Sequence, residues 1–560
     1  MGIQRLKEKY LIYKGDNTAE GKFRKELSIL LIEKFGKGPF EQEIIREIVV
    51  FSIDYYISKF REICHNETSV RFYQQVFRFH EDVTELTYTT EEKTDEIDWH
   101  YIASYRRILK YILETACEVK MINGETVDAK FRKRFEPKIN ELLFLGGMIL
   151  TCVGLYAEQG MVEDLAEVTF DKDDLYIFSR RHHYEFIIEH ITKNLDSHLT
   201  KAIVDDSELA GFIDLKNAIN DCFNFKYENA GYLIAAIHEQ NKLAGGDIVG
   251  VEWKTLTVNL SQMFNVPLET AEQFFSGLRL DTTNKMSLLD LACKPYNLNR
   301  YIYKPILIWN IDGNDYALIG KSAWSETFIQ LSSNAIPWGK APKEWLENKC
   351  FKTYVHKKED AHDKWLDDDI EKKLQNIGLM YDRNVKKINH DNTSTNIDVQ
   401  GLGEIDFIII SEKTKTVYVS DCKHLLGRYD TMNMKNDFNA FSIGTKSYNE
   451  TLKRKVIWFS KNIDLLTKHF NKKYNSSIDI SDYTVEGIFI INTPTFYMYN
   501  SEYRIYTVSQ IESVLQGTFI DETFSILIQE DNQDKYLNVK YPYFQKPTYL
   551  KFDPFSDTEE

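Results

Sequence analysis

Proline is scarce where it would do most harm to helices. Only four of the eleven prolines (Pro39, Pro137, Pro267 and Pro295) fall in the first 300 residues, so long helices meet few breakers there. Cysteine is also sparse. The seven are Cys64, Cys117, Cys152, Cys222, Cys293, Cys350 and Cys422, and no two stand at CxxC spacing, which excludes a metal site of that local kind. Their odd number and wide spacing lead to an expectation of reduced thiols in a cytoplasmic protein. Positive charge is in short supply as well. A formal net charge of -16 excludes a general electrostatic footprint for nucleic acid and confines any such surface to a local patch.

Other absences narrow the field further. The first residues lack an apolar signal-peptide core, and Leu6 stands where a myristoylation motif at Gly2 would need Ser or Thr. No Gly-rich phosphate loop occurs: Gly146-Gly147 is not followed by Gly-Lys-Ser/Thr, so ATP hydrolysis is not expected. Long apolar runs are nearly missing. Residues 142–157 carry no charge, but they are fewer than the roughly 20 a spanning helix needs. Glu141 and Glu158 bracket them without basic anchors. A buried core helix is expected there, and no membrane partner.

What is present describes a folded protein of at least two domains: 560 residues, 43% hydrophobic and 13% aromatic. Residues 1–300 read as largely helical. Leu27, Leu30, Leu31 and Phe35 fall on one helical face, and 44–63 and 101–119 carry similar stripes. The acidic, Thr-rich stretch 85–98 reads as a loop. Residues 301–342 form a β connector, with two apolar runs joined through Asp312-Gly313, a hairpin signal. From 343 to about 550 the order is helix, strands, helix, strand, strand, helix, the pattern of an α/β layered domain. Leu366, Ile370, Leu374 and Ile377 make a helical stripe that Gly378 terminates. Strands are expected at 381–388, 485–492 and 503–508, a long helix at 446–470, and a short helix at 509–515 capped by Ser509. The acidic tail 556–560 is expected to fray.

The chemistry concentrates in one hairpin. Residues 403–410 (Gly-Glu-Ile-Asp-Phe-Ile-Ile-Ile) and 417–423 (Val-Tyr-Val-Ser-Asp-Cys-Lys) flank a polar turn. With the turn centred on Lys413-Thr414, Asp406 lies opposite Asp421. Strand alternation then puts Asp406, Asp421 and Lys423 on one face. Ile408, Ile410, Val417 and Val419 continue that face, while Ile405, Phe407, Ile409 and Tyr418 line the other. A hairpin apolar on both faces is a central element covered by helices on each side. Two carboxylates, with the Cys422 backbone carbonyl as a third donor, suit a hard divalent ion such as Mg²⁺, with Mn²⁺ as substitute. Lys423 would orient the water or neutralise charge.

Asp406, then Asp421-Cys422-Lys423 fifteen residues on, resembles the PD-(D/E)XK nuclease superfamily. The family's proline is replaced by Ile405. The spacing of Leu366-Asp367, Ile370, Leu374 and Gly378 resembles the family's helical acid motif, which nominates Asp367, with Glu371 as alternate. The resemblance covers residues 343–517. It implies a restriction-endonuclease-like fold with a central mixed sheet flanked by helices, and Mg²⁺-dependent cleavage of DNA, with a role in bacterial restriction or anti-phage defence by analogy. It also implies metal ligands Asp406, Asp421, Cys422 and Asp367, with Lys423 catalytic. An RNA-directed nuclease and an inactive scaffold of the same fold stay open. So do three roles for the N-terminal region: ligand sensing, binding a partner protein, or homo-oligomerisation.

Three further features stand out. From Lys423 to Lys473 there are eleven Lys or Arg against four Asp or Glu, a balance of +7 in an acidic protein. Lys446, Lys453, Arg454 and Lys455 are therefore expected to contact phosphates, on or beside the helix that follows the hairpin. Arg180-Arg181-His182-His183, with His190 beyond, lacks the spacing of an Arg-x(4–6)-His ribonuclease motif and reads as a helical patch. The run Asp367-Asp368-Asp369 reads as a complement to a helix dipole near a helix start.

Overall fold

The computed structural model describes residues 2–89, 97–124, 129–183, 206–243, 250–391, 393–399, 401–427, 431–521, 524–530, 533–539 and 544–545. Residues 190 and 556–560, about which expectations were stated, lie outside these. Two compact units are formed. The first holds residues 1–159, 166–179 and 202–359; the second holds 160–165, 180–201 and 360–560.

The first unit is mainly helical. The helices Thr18–Phe35, Gln42–Asn66, Val70–Thr89, Trp99–Ala116 and Ala129–Glu158 make up its first half. The helix Val70–Thr89 corrects the loop expected from residue 85, because buried Leu86 extends its apolar stripe past the acidic residues. The 142–157 run is the C-terminal part of Ala129–Glu158. Within the described residues this helix alone is long and apolar enough to cross a membrane, and half of that apolar window is buried. Leu142, Leu145, Ile149 and Cys152 are fully buried. Gly146 allows close approach to a neighbouring helix: a Cβ there would stand 2.4 Å from Ile108 Cγ2.

Residues 301–342 do not form a separate connector. Strands Ile306–Ile311 and Asn314–Ile319 pair antiparallel about Asp312-Gly313, both at positive φ as a tight hairpin demands, and they are the middle of this unit's sheet. Below the sheet lies an aromatic core that includes Phe223, Phe274, Trp324, Phe328, Trp345 and Phe351. Cys222 and Cys350 form a disulfide, which corrects the expectation of reduced thiols. The pair is 128 residues apart in sequence, too far for spacing to reveal it. In chain-entropy terms a loop of that length is worth about 4–5 kcal/mol.

The second unit is built on a five-stranded mixed sheet. Its principal elements are α1 (Lys349–Asn376, which enters this unit at Asp360), β1 (Met380–Val385), β2 (Ile405–Ser411), β3 (Thr416–Lys423), α2 (Thr431–Ser442), α3 (Tyr448–Lys461), α4 (Ile463–Tyr474), β4 (Thr484–Ile491), β5 (Arg504–Thr507) and α5 (Ile511–Leu515). The strand order follows the chain, with β1, β2 and β3 antiparallel and β3, β4 and β5 parallel. Both faces are covered, as the two-faced hairpin requires. Ile408, Ile410, Val417 and Val419 pack with Leu452 and Phe459 of α3 and Leu466 and Phe470 of α4. Phe407, Ile409 and Tyr418 pack with Leu366, Ile370 and Leu374 of α1 and Ile511 and Leu515 of α5. Ile405 departs from the expected alternation and joins the Ile408 side.

Other departures have local causes. Helix α2 was not expected, because two of its four buried residues are polar: Asn433 and Asp437 sit beside Met434 and Phe441, and no apolar period shows. The helix expected over 446–470 is two, broken at Asn462, which ends α3 and begins α4. Ser509 does not cap α5. Its hydroxyl bonds Thr507 Oγ1 at 2.8 Å, and the helix starts after Gln510. Gly378 ends α1 as expected, at φ 70. The Asp367–Asp369 run lies far inside α1, whose start is Lys349, so it complements no N-terminal dipole. His182–His183 is a two-residue strand rather than part of a helix.

Gly487 on β4 decides how closely α3 approaches the sheet. A Cβ there would meet Val456 Cγ2 at 2.7 Å and Leu452 Cγ at 3.0 Å, both on α3. Gly487→Ala is therefore expected to cost the second unit about 1–3 kcal/mol by overpacking. Thermal unfolding followed by circular dichroism checks this; an unchanged midpoint would refute so tight a seat for α3.

Candidate active site

The hairpin register is the one expected from the sequence. Phe407 faces Ser420 and Ser411 faces Thr416, with Lys415 taking positive φ in the turn. One step beyond the Phe407 pair, Asp406 stands across from Asp421. Asp406 Oδ2 accepts the Cys422 N–H at 2.6 Å, which fixes its carboxylate at the sheet end. Asp421 is 5% exposed and faces two ammonium groups. Lys423 Nζ is 3.0 Å from its Oδ2, and Lys455 Nζ is 3.5 Å from its Oδ1. The Lys423 ammonium also lies over the Tyr448 ring, 4.7 Å from its centre.

The two carboxyls are driven apart in acidity. Burial, then the Asp421 charge, pushes Asp406 up to about 7. Burial pushes Asp421 the same way, but Lys423 and Lys455 outweigh it and hold that carboxyl below its ordinary value. Burial opposes the charge on Lys423, yet Asp421 and Asp406 prevail and raise it, so Lys423 is an ammonium donor. A pair of acids of opposite tendency beside a fixed cation is an arrangement found where proton or metal chemistry occurs.

Lys455 is the residue whose role the sequence reading missed. The expected phosphate contact is instead 3% exposed and belongs to the Asp421 cluster. The signal was present: Lys455 is three residues after Leu452 and four before Phe459, inside the buried stripe of α3. Its helix is positioned by Ser447, whose hydroxyl accepts the Glu450 N–H at 3.3 Å.

The remaining basic residues do not form a continuous track. Arg454 Nε donates to the Gly401 carbonyl at 2.6 Å and so ties down the loop before β2. Lys453 pairs with Glu450 at 3.7 Å, and Lys468 with Asp391 at 2.9 Å. Lys446 is exposed. Much of the +7 excess is thus matched by acids, several of them outside the counted window, and only part of it faces solvent.

Asp367 is paired with Arg383, and its charge, like those of Asp406 and Asp421, bears on the Cys422 thiol. Leu366 and Ile370 beside it pack on the Phe407 face, opposite the face of Val417 and Val419 that Asp421 continues. Its Oδ2 lies 3.5 Å from Arg383, which also binds Asp368 and Glu371 at 2.7 Å each. Burial raises the Asp367 carboxyl, with Arg383 opposing. Glu371, the alternate, is held by the same guanidinium. Cys422 supplies its N–H to Asp406. Its thiol packs on the Phe407 face, where burial and then Asp406 and Asp367 raise it well above the ordinary value.

For a hard divalent ion the candidate donors are Asp406 Oδ1 and the Asp421 oxygens, which the ion would share with or take from Lys423 and Lys455. That donor set fits Mg²⁺ or Mn²⁺, which take one or two carboxylates and fill the other positions with water. A cavity of about 710 Å³ in the same unit is lined by Trp365, Lys373, Asn492, Tyr499 and Arg504, and neither Asp406 nor Asp421 reaches it. The chemistry sits at the sheet end, so we place the candidate site there and not in that cavity. Comparison with protein-family models, with curated proteins and with solved structures finds no match to this chain.

Proposed function

We infer that the second unit is a metal-dependent nuclease of restriction-endonuclease-like fold, hydrolysing phosphodiester bonds in DNA. The observation that carries this reading is the meeting of Asp406, Asp421 and Lys423 on one face of adjacent antiparallel strands, with Lys423 3.0 Å from Asp421. The order of three antiparallel strands followed by two parallel ones, with helices on both faces, supports the fold.

A bound Mg²⁺ would lower the pKa of a water and offset charge on phosphate oxygens. Asp406 and Asp421 would hold it. Asp421 also keeps Lys423 protonated and aimed along the face, and the Tyr448 ring lies against its ammonium. Lys423 then donates to a phosphate oxygen as charge develops, and does not act as a proton acceptor. Lys455 keeps Asp421 ionised.

A second reading has its own support. Asp421 with two ammonium groups is a self-sufficient ion cluster, which a binding or scaffold protein would also need in order to bury these charges. Incubating the full chain with plasmid, linear and single-stranded DNA and RNA, with Mg²⁺, Mn²⁺ or EDTA, separates the readings. Metal-dependent DNA cleavage, absent in Asp421→Asn, is expected. Cleavage of RNA alone moves the substrate, and no cleavage of any substrate favours the scaffold.

Acidity offers an independent check. Asp406 keeps its proton up to about pH 7, so Mg²⁺ must displace it. Apparent Mg²⁺ affinity is expected to fall about tenfold per pH unit below 7 and to level off above. Titration calorimetry in buffers of different ionisation enthalpy reads the released proton directly. Without metal the sign reverses. The folded state holds a proton that the unfolded one has lost, so stability should decline as pH rises from about 4 to about 7.

A further inference from the structure

Beyond the two acids, a second group of metal-ligand side chains lies in the same unit. His362 and Asp363 are consecutive on α1, and His424 directly follows Lys423 at the end of β3. One ligand atom from each lies within 4.8 Å of the others. The two imidazoles are half-buried and stacked, with ring centres 3.7 Å apart and planes 10° from parallel. Among the described residues this is the one His/Cys/Asp/Glu group that meets so closely.

We propose that His362, Asp363 and His424 bind a borderline transition-metal ion, with Zn²⁺ as the representative. The donor chemistry sets the class. Imidazole nitrogens favour Zn²⁺ and its neighbours over Mg²⁺, whereas the Asp406–Asp421 pair offers only oxygen. A tetrahedral ion with bonds of about 2.1 Å spaces its ligands about 3.4 Å apart. Ring nitrogens bind through lone pairs in the ring plane, so the two rings must swing open from their parallel stack, and the ligand atoms must draw in from within 4.8 Å to about 3.4 Å, before both point at one ion. The exposed Asp363 carboxylate closes the third corner and a fourth stays open to water. The ion would clip α1 to the residue after Lys423 and so set where β3 ends. This site stands on residues separate from the nuclease pair and does not depend on that reading.

The test uses the full chain stripped with EDTA and dialysed. Calorimetry with Zn²⁺, and the visible d–d absorption of Co²⁺, should report one equivalent. In the wild-type chain, bound Zn²⁺ should protect His362 and His424 from diethyl pyrocarbonate, read peptide by peptide in mass spectrometry, so no variant has to fold for the answer. His362→Ala and His424→Ala should each weaken binding by at least the roughly 10–100-fold that loss of an outer partner costs. Asp406→Asn, which leaves a near-isosteric side chain at the other site, should keep the Zn²⁺ equivalent. No bound equivalent, unchanged modification of both histidines with Zn²⁺ bound, or wild-type affinity in a chain carrying both His362→Ala and His424→Ala would each overturn the proposal.

Discussion

Asp421→Ala is expected to lower the stability of the second unit by about 3–5 kcal/mol and to abolish cleavage. The stability loss comes from what remains behind: two ammonium groups lose their counter-charge, and breaking a buried pair costs far more than never having built it. Their environments differ. Lys423 keeps 20% of its side chain exposed and can turn toward water, whereas Lys455 keeps 4% and cannot. Most of the penalty is thus assigned to Lys455. Against a total stability of about 5–15 kcal/mol, such a loss is a large share. Adding Lys455→Met removes the stranded charge and replaces it with apolar volume of similar size. The double variant should regain most of the stability and none of the cleavage. Urea unfolding of the second unit, with plasmid nicking on the same samples, checks both halves. If the single and double variants prove equally unstable, Lys455 is not the stranded charge.

Lys423→Ala is expected to act the other way, with a large effect on rate and a small one on stability. Asp421 keeps Lys455, so no buried charge is abandoned. What disappears is a donor aimed at the developing charge, and removal of one such donor costs about 10²–10³ in turnover. Single-turnover cleavage at saturating Mg²⁺ measures it, and calorimetry should find Mg²⁺ still bound. Lys423→Arg should recover little, since the longer, planar guanidinium spreads its charge and cannot set one compact donor where the ammonium stands, 3.0 Å from Asp421. A Lys423→Ala chain that cleaves at the wild-type rate would remove Lys423 from the chemistry and leave it a structural counter-ion.

The hairpin shows how far local sequence reaches. Alternation along β2 and β3 and the turn at Lys413-Thr414 determined the register, the shared face of Asp406, Asp421 and Lys423, and the presence of helices on both sides. Each follows from period and steric preference within a few residues, which the chain carries in plain order. The stripe that ends at Gly378 was legible for the same reason.

The tertiary structure decided the rest, because it depends on residues distant in sequence. Asp367 has the right helical register, yet α1 packs on the opposite face of the sheet and Arg383 on β1 claims its carboxylate. Lys455 looked like one lysine among many until α3, drawn close by Gly487, carried it under Asp421. His424 gained its partners only when the end of β3 met α1, and Cys222 found Cys350 across 128 residues. Local period determined which atoms share a face. Only the folding of distant segments onto that face decided which charges are paired, which are buried, and therefore what the site can do.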